Sequence, residues 1–159
     1  MSQGSTLHRF KITLSDIERS VYQTLDFRVA MHSSETPIFL VTRVLAYILN
    51  FESGLEFSQG LATPDEPSIR LLDSNGTIVK WIDIGSPTAR RLHKASKAAK
   101  SVRVYTYRDP EIMQKEVEGQ QVHRAEEIEV LGLPRGRESA SLRCLPVVKD
   151  HVRGLDKQC

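Results

Sequence analysis

A chain of 159 residues, 40% apolar and 26% charged, has the composition of a soluble globular protein and the length for one good core. A net charge of +2 excludes a whole-chain electrostatic attraction to nucleic acid, and no apolar run approaches the ~18 residues that a membrane crossing needs. Residues 1–13 lack the basic-then-apolar layout of a signal peptide, and Cys144 and Cys159 form neither a metal-binding spacing nor a disulfide framework. These features predict a reduced, cytoplasmic protein with one domain over 1–159 and a frayed polar tail from about residue 150; they fix no oligomeric state, a monomer being slightly favoured.

Residues 8–14 alternate polar and apolar, and 22–32 alternate again through Leu25, Phe27 and Val29. With turn residues between them, the two segments predict an antiparallel hairpin. A helix follows: Ser34 or Thr36 can cap it, and Pro37 fits its first turn, where the missing N–H costs nothing. Val41, Val44, Leu45, Ile48 and Leu49 recur at helical spacing and are expected to form its buried face. Phe39, Leu40 and Phe51 widen the apolar surface, so the helix is expected to lie on a sheet, ending over 50–54 with Gly54 as its cap.

A short strand at 55–57 and another at 67–72 lead to Asp73-Ser74-Asn75-Gly76, whose Asn-Gly pair signals a hairpin into a strand over 77–84. Pro87 starts a helix over 88–99, the β-branched and aromatic run 101–107 predicts a buried strand, and 110–118 a short helix. Segments 126–131 and 142–148 are further strand candidates. The strand–helix–strand crossover over 79–107 implies a mixed sheet with helices on its faces.

The chemistry concentrates between Pro64 and Lys97. Asp65 and Glu66 lie 17 or 18 residues before Asp83, room for a strand, a turn and a second strand. Neighbouring strands lie about 4.8 Å apart, so these carboxylates could share one hard cation such as Mg²⁺ or Mn²⁺, the minimal equipment for metal-assisted phosphodiester cleavage. Asp83 shares a strand face with Trp81, which leaves open a simpler role: capping the next turn, or pairing with Arg91. Asp65 and Glu66 also suit a polar turn, and Glu35 suits a helix N-terminus. No acidic residue lies between Ile84 and Arg108, but seven basic ones do. On the helix over 88–99, Arg90, His93, Lys94 and Lys97, continued by Lys100, share one face, opposite Leu92, Ala95 and Ala99. That ridge is either a solvated surface or a phosphate-binding one.

The ordered residues resemble the YaeQ family of bacterial proteins, a divergent branch of the PD-(D/E)XK nuclease superfamily. The resemblance starts at Asp16, Arg19 and Tyr22 and continues through His32-Ser33-Ser34-Glu35-Thr36, Arg43 and Ala46. It runs on through Leu55, Phe57, Gly60-Leu61 and Asp65-Glu66-Pro67 to Trp81-Ile82-Asp83-Ile84-Gly85. Pro87, Arg91, Lys94-Ala95 and Val104-Tyr105-Thr106-Tyr107 complete it. It implies an α/β fold, a three-layer α/β/α sandwich around a mixed central sheet with a restriction-endonuclease-like core. It further implies that Glu35, Asp65/Glu66 and Asp83 converge on one pocket and hold Mg²⁺ or Mn²⁺. The superfamily's lysine two residues after the second acid is replaced here by Gly85, so Lys94, reaching back from the next helix, is the expected substitute. Asp83 stands where the family usually carries Glu. The expected function is a metal-dependent nuclease, with Arg90, Arg91, Lys94 and Lys97 on nucleic acid. Two alternatives stand beside it: a catalytically silent nuclease fold that binds nucleic acid or a protein partner, and a pocket for another phosphorylated ligand.

Overall fold

A computed structural model describes residues 4–58 and 65–133, which fall into two compact units, one holding a hairpin and the other spanning Glu35–Gly132. The predicted strand at 142–148, both cysteines, and Pro64, Gly60 and Leu61 lie outside the described residues.

In the first unit, strands β1 (Ser5–Asp16) and β2 (Val21–His32) form an antiparallel two-stranded sheet. Phe10 lies opposite Phe27 with ring centroids 5.9 Å apart, and Ile12 lies opposite Leu25. Such cross-strand pairs fix a hairpin's register. The Asp16 carboxylate closes the turn, accepting from the Arg19 N–H at 3.0 Å and from its Nε at 2.5 Å.

The second unit is a mixed five-stranded sheet in the order β3 (Glu56–Phe57), β4 (Ile69–Leu72), β5 (Ile78–Ile84), β6 (Ala99–Thr106), β7 (Ile128–Gly132). The first three strands run antiparallel; β5, β6 and β7 run parallel. The Asn-Gly turn forms as expected between β4 and β5. Asp73 there accepts from the N–H groups of Asn75 and Thr77, both at 2.9 Å. The parallel pairings require crossovers, supplied by α2 (Ala89–Ala98) and α3 (Pro110–Glu118). Helix α1 (Pro37–Leu49) starts at Thr36, whose hydroxyl accepts from Phe39 N–H, with Pro37 in the first turn.

Strand alternation divides the core. Ile82 and Ile84 of β5 pack with Ile69, Leu55, Tyr105 and Ala46, joined by Phe39, Tyr47 and Leu49 of α1. Trp81, Val102 and Val104 pack with Leu92 and Ala95 of α2 and Met113 and Val117 of α3. Each fully buried large side chain contributes about 1.5–3 kcal/mol, so both clusters contribute substantially to the stability of this unit.

Three expectations need correction. Helix α1 ends at Asn50; Gly54, at φ +89°, instead shapes the turn into β3. Ala99 and Lys100 belong to β6, not to the preceding helix. Val41 is not buried but 50% exposed. The side of α1 on the sheet is the stripe of Phe39, Ala46 and Asn50, almost opposite Val41 on the helical wheel.

Candidate functional site: a charge-paired pocket at the ends of the parallel strands

Beyond the C-terminal ends of β5 and β6 lies a pocket of about 320 Å³. Its walls come from the start of α1 (Glu35, Phe39, Arg43), the approach to β4 (Glu66, Ser68), the end of β5 (Asp83 to Pro87), the first turn of α2 (Thr88, Arg91) and Tyr107. Ligand sites in open α/β sheets favour this end, where side chains from several loops converge.

Asp83 is 1% exposed, and its carboxylate is saturated. Oδ2 accepts from Trp81 Nε1 at 2.9 Å and from Arg91 Nε at 2.7 Å. Oδ1 accepts from Arg91 Nη2 at 2.8 Å and from the Ser68 N–H at 3.3 Å. The guanidinium thus meets the carboxylate fork to fork, the strongest arrangement of this pair. Arg91 Nη2 also donates to the Glu66 carbonyl at 2.5 Å, tying α2 to the approach to β4. Its pKa is raised, first by the hydrogen bond to Asp83 and then, against burial, by that carboxylate's charge. Thr88 places the residue by accepting from Arg91 N–H at 3.3 Å as the α2 N-cap.

A second pair forms the rear wall. Arg43 Nη1 and Nη2 meet Glu35 Oε1 and Oε2 at 3.1 and 3.2 Å, with side chains 4% and 1% exposed. Burial pulls the Arg43 pKa down, and the Glu35 charge opposes the fall.

Of the expected acids, Glu35, Glu66 and Asp83 therefore meet around one pocket, and Asp65 does not line it. The Asp65 side chain is 76% exposed and pairs with Lys94 Nζ at 2.6 Å, which lowers its pKa. The Glu66 carboxylate lies 3.8 Å from Arg70 Nη1. Lys94 likewise stays outside the lining: Arg91, one turn closer to the α2 N-cap, already holds Asp83. Of the other cations in 84–108, Lys100 pairs with Asp73, Arg103 with Glu129, and Arg108 donates to Ser86 at the pocket edge. Arg90 and Lys97 are exposed and make no ion pair among the described residues.

Gly85 has φ +84°, a backbone that only glycine adopts without strain. A Cβ built there would lie 3.5 Å from Tyr107 Oη and 3.7 Å from Phe39 Cε2, in ordinary contact with both side chains.

The donor chemistry suits a hard cation, since Glu35, Glu66 and Asp83 offer oxygen ligands. Their arrangement does not: Arg91 hydrogen-bonds both Asp83 oxygens, and Arg43 hydrogen-bonds Glu35 Oε2 while its Nη1 lies 3.1 Å from Oε1 as an ion pair. Among the described residues no group of three His, Cys, Asp or Glu is set to hold a metal ion. The pocket's cations are guanidinium groups.

Sequence reasoning paired Asp83 with Arg91 as one reading but missed Arg43, Phe39 and Tyr107 as pocket walls. Arg43 carried a signal: one charged residue inside an otherwise apolar helix must find a buried partner.

The fold is thus a mixed α/β unit with a charge-paired pocket at the ends of its parallel strands. The chain belongs to the YaeQ protein family, whose model matches residues 1–145. It is 31% identical over 107 residues to uncharacterised YaeQ proteins of Escherichia coli (strain K12) and Shigella flexneri. That match spans 67% of this chain and 59% of theirs. The crystal structure of a YaeQ protein from Xanthomonas axonopodis pv. citri superposes with a TM-score of 0.73 at 31% identity, over 82% of this chain and 75% of that one. One from Pseudomonas syringae gives 0.74 at 27% identity, over 84% and 74%. No helix among the described residues is long and apolar enough to cross a membrane.

Proposed function

We propose that this chain is a cytoplasmic, nuclease-fold protein of the PD-(D/E)XK type whose pocket binds nucleic acid without cutting it. The observation that carries the reading is the fork-to-fork pair of Arg91 and Asp83, in which an internal cation engages both oxygens of the acid that a catalytic metal would use. Helix α1 on one side of the sheet and α2 and α3 on the other support the three-layer sandwich. The resemblance of residues 8–108 to the superfamily, and the seven cations without an acid between Ile84 and Arg108, support nucleic acid as the ligand.

A second reading, a Mg²⁺- or Mn²⁺-dependent nuclease, is favoured by one observation: Glu35, Glu66 and Asp83, from three separate segments, line the same pocket. Gly85 weighs against it, because its left-handed backbone leaves no relaxed place for the superfamily lysine. Lys94 weighs against it too, being engaged by Asp65.

Labelled single- and double-stranded DNA and RNA, incubated with the protein and millimolar Mg²⁺ or Mn²⁺, separate the readings. Binding without cleavage, weakened and made less salt-dependent by Arg90→Ala and Lys97→Ala, supports the binding protein. Cleavage that needs Mn²⁺ or Mg²⁺ and disappears in Asp83→Asn returns the nuclease.

A further inference from the structure

The pocket's chemistry differs from that of the basic face of α2. Three carboxylates and two arginines line it, so its formal charges nearly cancel. A phosphate placed inside would lie beside Asp83 and Glu35, where like charge repels it. The paired charges instead suit a neutral ligand, and the exposed Ser86 and Thr88 and the half-buried Glu66 in the lining can meet donors and acceptors along its edge. Hydroxyls serve either role toward a base edge, and a carboxylate accepts from exocyclic amino groups.

The remaining walls are aromatic. Phe39 and Tyr107 both lie near Gly85, where no Cβ intervenes. Aromatic side chains stack on any base because every base has a π-face. At about 320 Å³ the pocket lies at the small end of the roughly 300–1,000 Å³ typical of ligand sites, right for one heterocycle and too narrow for a duplex. Cations suited to a phosphate backbone sit around it: Arg108 bonds Ser86 at its edge, and Arg90 is exposed in the first turn of α2.

We infer that the pocket seats one unstacked base of a single-stranded nucleic acid, against Phe39 and Tyr107 beside Gly85, with Glu66, Ser86 and Thr88 along its polar edge. The inference rests on the proposed nucleic-acid reading and adds to it what the pocket itself recognises.

The test uses the full chain and fluorescence anisotropy of labelled ten-residue strands: oligothymidylate, oligodeoxycytidylate, and a strand of the same length with abasic residues throughout. At least tenfold tighter binding of a base-bearing strand than of the abasic one is the expected result. Tyr107→Leu should shrink that preference while leaving the salt dependence intact. Emission of Trp81, the chain's one tryptophan, whose Nε1 bonds Asp83, should change with the base-bearing strands alone. Equal affinity for base-bearing and abasic strands overturns the base seat and leaves the nucleic-acid reading standing. No binding of any strand overturns both. The wild-type comparison decides the matter even if Tyr107→Leu fails to fold.

Discussion

Arg91 holds Asp83 across eight residues of sequence with two parallel hydrogen bonds of 2.7 and 2.8 Å, and Asp83 takes two more from Trp81 and Ser68. The four bonds join the end of β5, the first turn of α2 and the approach to β4. Asp83→Asn removes the charge and strands a half-buried guanidinium. Breaking such a pair from one side is expected to cost about 3 kcal/mol. Urea unfolding should show a lower midpoint with an unchanged slope.

The Glu35–Arg43 pair, more deeply buried, should behave non-additively. Arg43→Met alone leaves the Glu35 carboxylate buried without its cation, at a cost of roughly 3–5 kcal/mol. Adding Glu35→Gln removes the uncompensated charge and should recover most of that loss. A double-mutant cycle by thermal or urea unfolding measures the coupling.

Gly85→Ala tests the backbone under the pocket. The added methyl meets Tyr107 and Phe39 at ordinary van der Waals distances, so the cost is that of a left-handed alanine, about 1–2 kcal/mol. Gly85→Lys incurs the same backbone cost, and neither metal binding by calorimetry nor cleavage should appear in that variant.

The Asp73 carboxyl should titrate below its ordinary value of 3.8, held down first by the Thr77 N–H, against burial, then by the Asn75 N–H and by Lys100. A depressed carboxyl stabilises the fold above its unfolded pKa, and that contribution disappears as pH falls through the folded value. The window therefore lies below pH 3.8. A ¹³C NMR titration reads the shift directly, and Asp73→Asn should remove this part of the acid-side loss of stability.

Local signals made much of the fold legible. Alternation marked the first hairpin, Asn75-Gly76 marked the second, and the apolar run of β6 marked its burial. Val44 and Ile48 of α1 are buried as expected, but the stripe on the sheet was not foreseen, because two polar residues, Arg43 and Asn50, lie on it and dilute the apolar signal there. Val41 falls beside Ile48 on the helical wheel and so looked buried as well. Four acids were expected at one pocket, the choice between Asp65 and Glu66 left open, and three line it; telling Glu66 from Asp65 needed the path of the chain into β4. Which cation meets Asp83 was equally hidden, since Arg91 and Lys94 lie one helical turn apart and only the setting of α2 decides between them.

Asn50, 2% exposed, donates to Ala46 O at 2.7 Å and Tyr105 Oη at 2.9 Å and accepts from Arg103 Nη1 at 2.7 Å. Arg103 in turn holds Glu129 of β7. Sliding α1 by one turn would leave Asn50 and Arg43 without their bonds in an apolar interior, and each loss is costly. Asn50 thus acts as a locating pin at the far end of the helix. It sets the position of Phe39 and Arg43 two to three turns away, so the back of the pocket keeps its shape before anything enters.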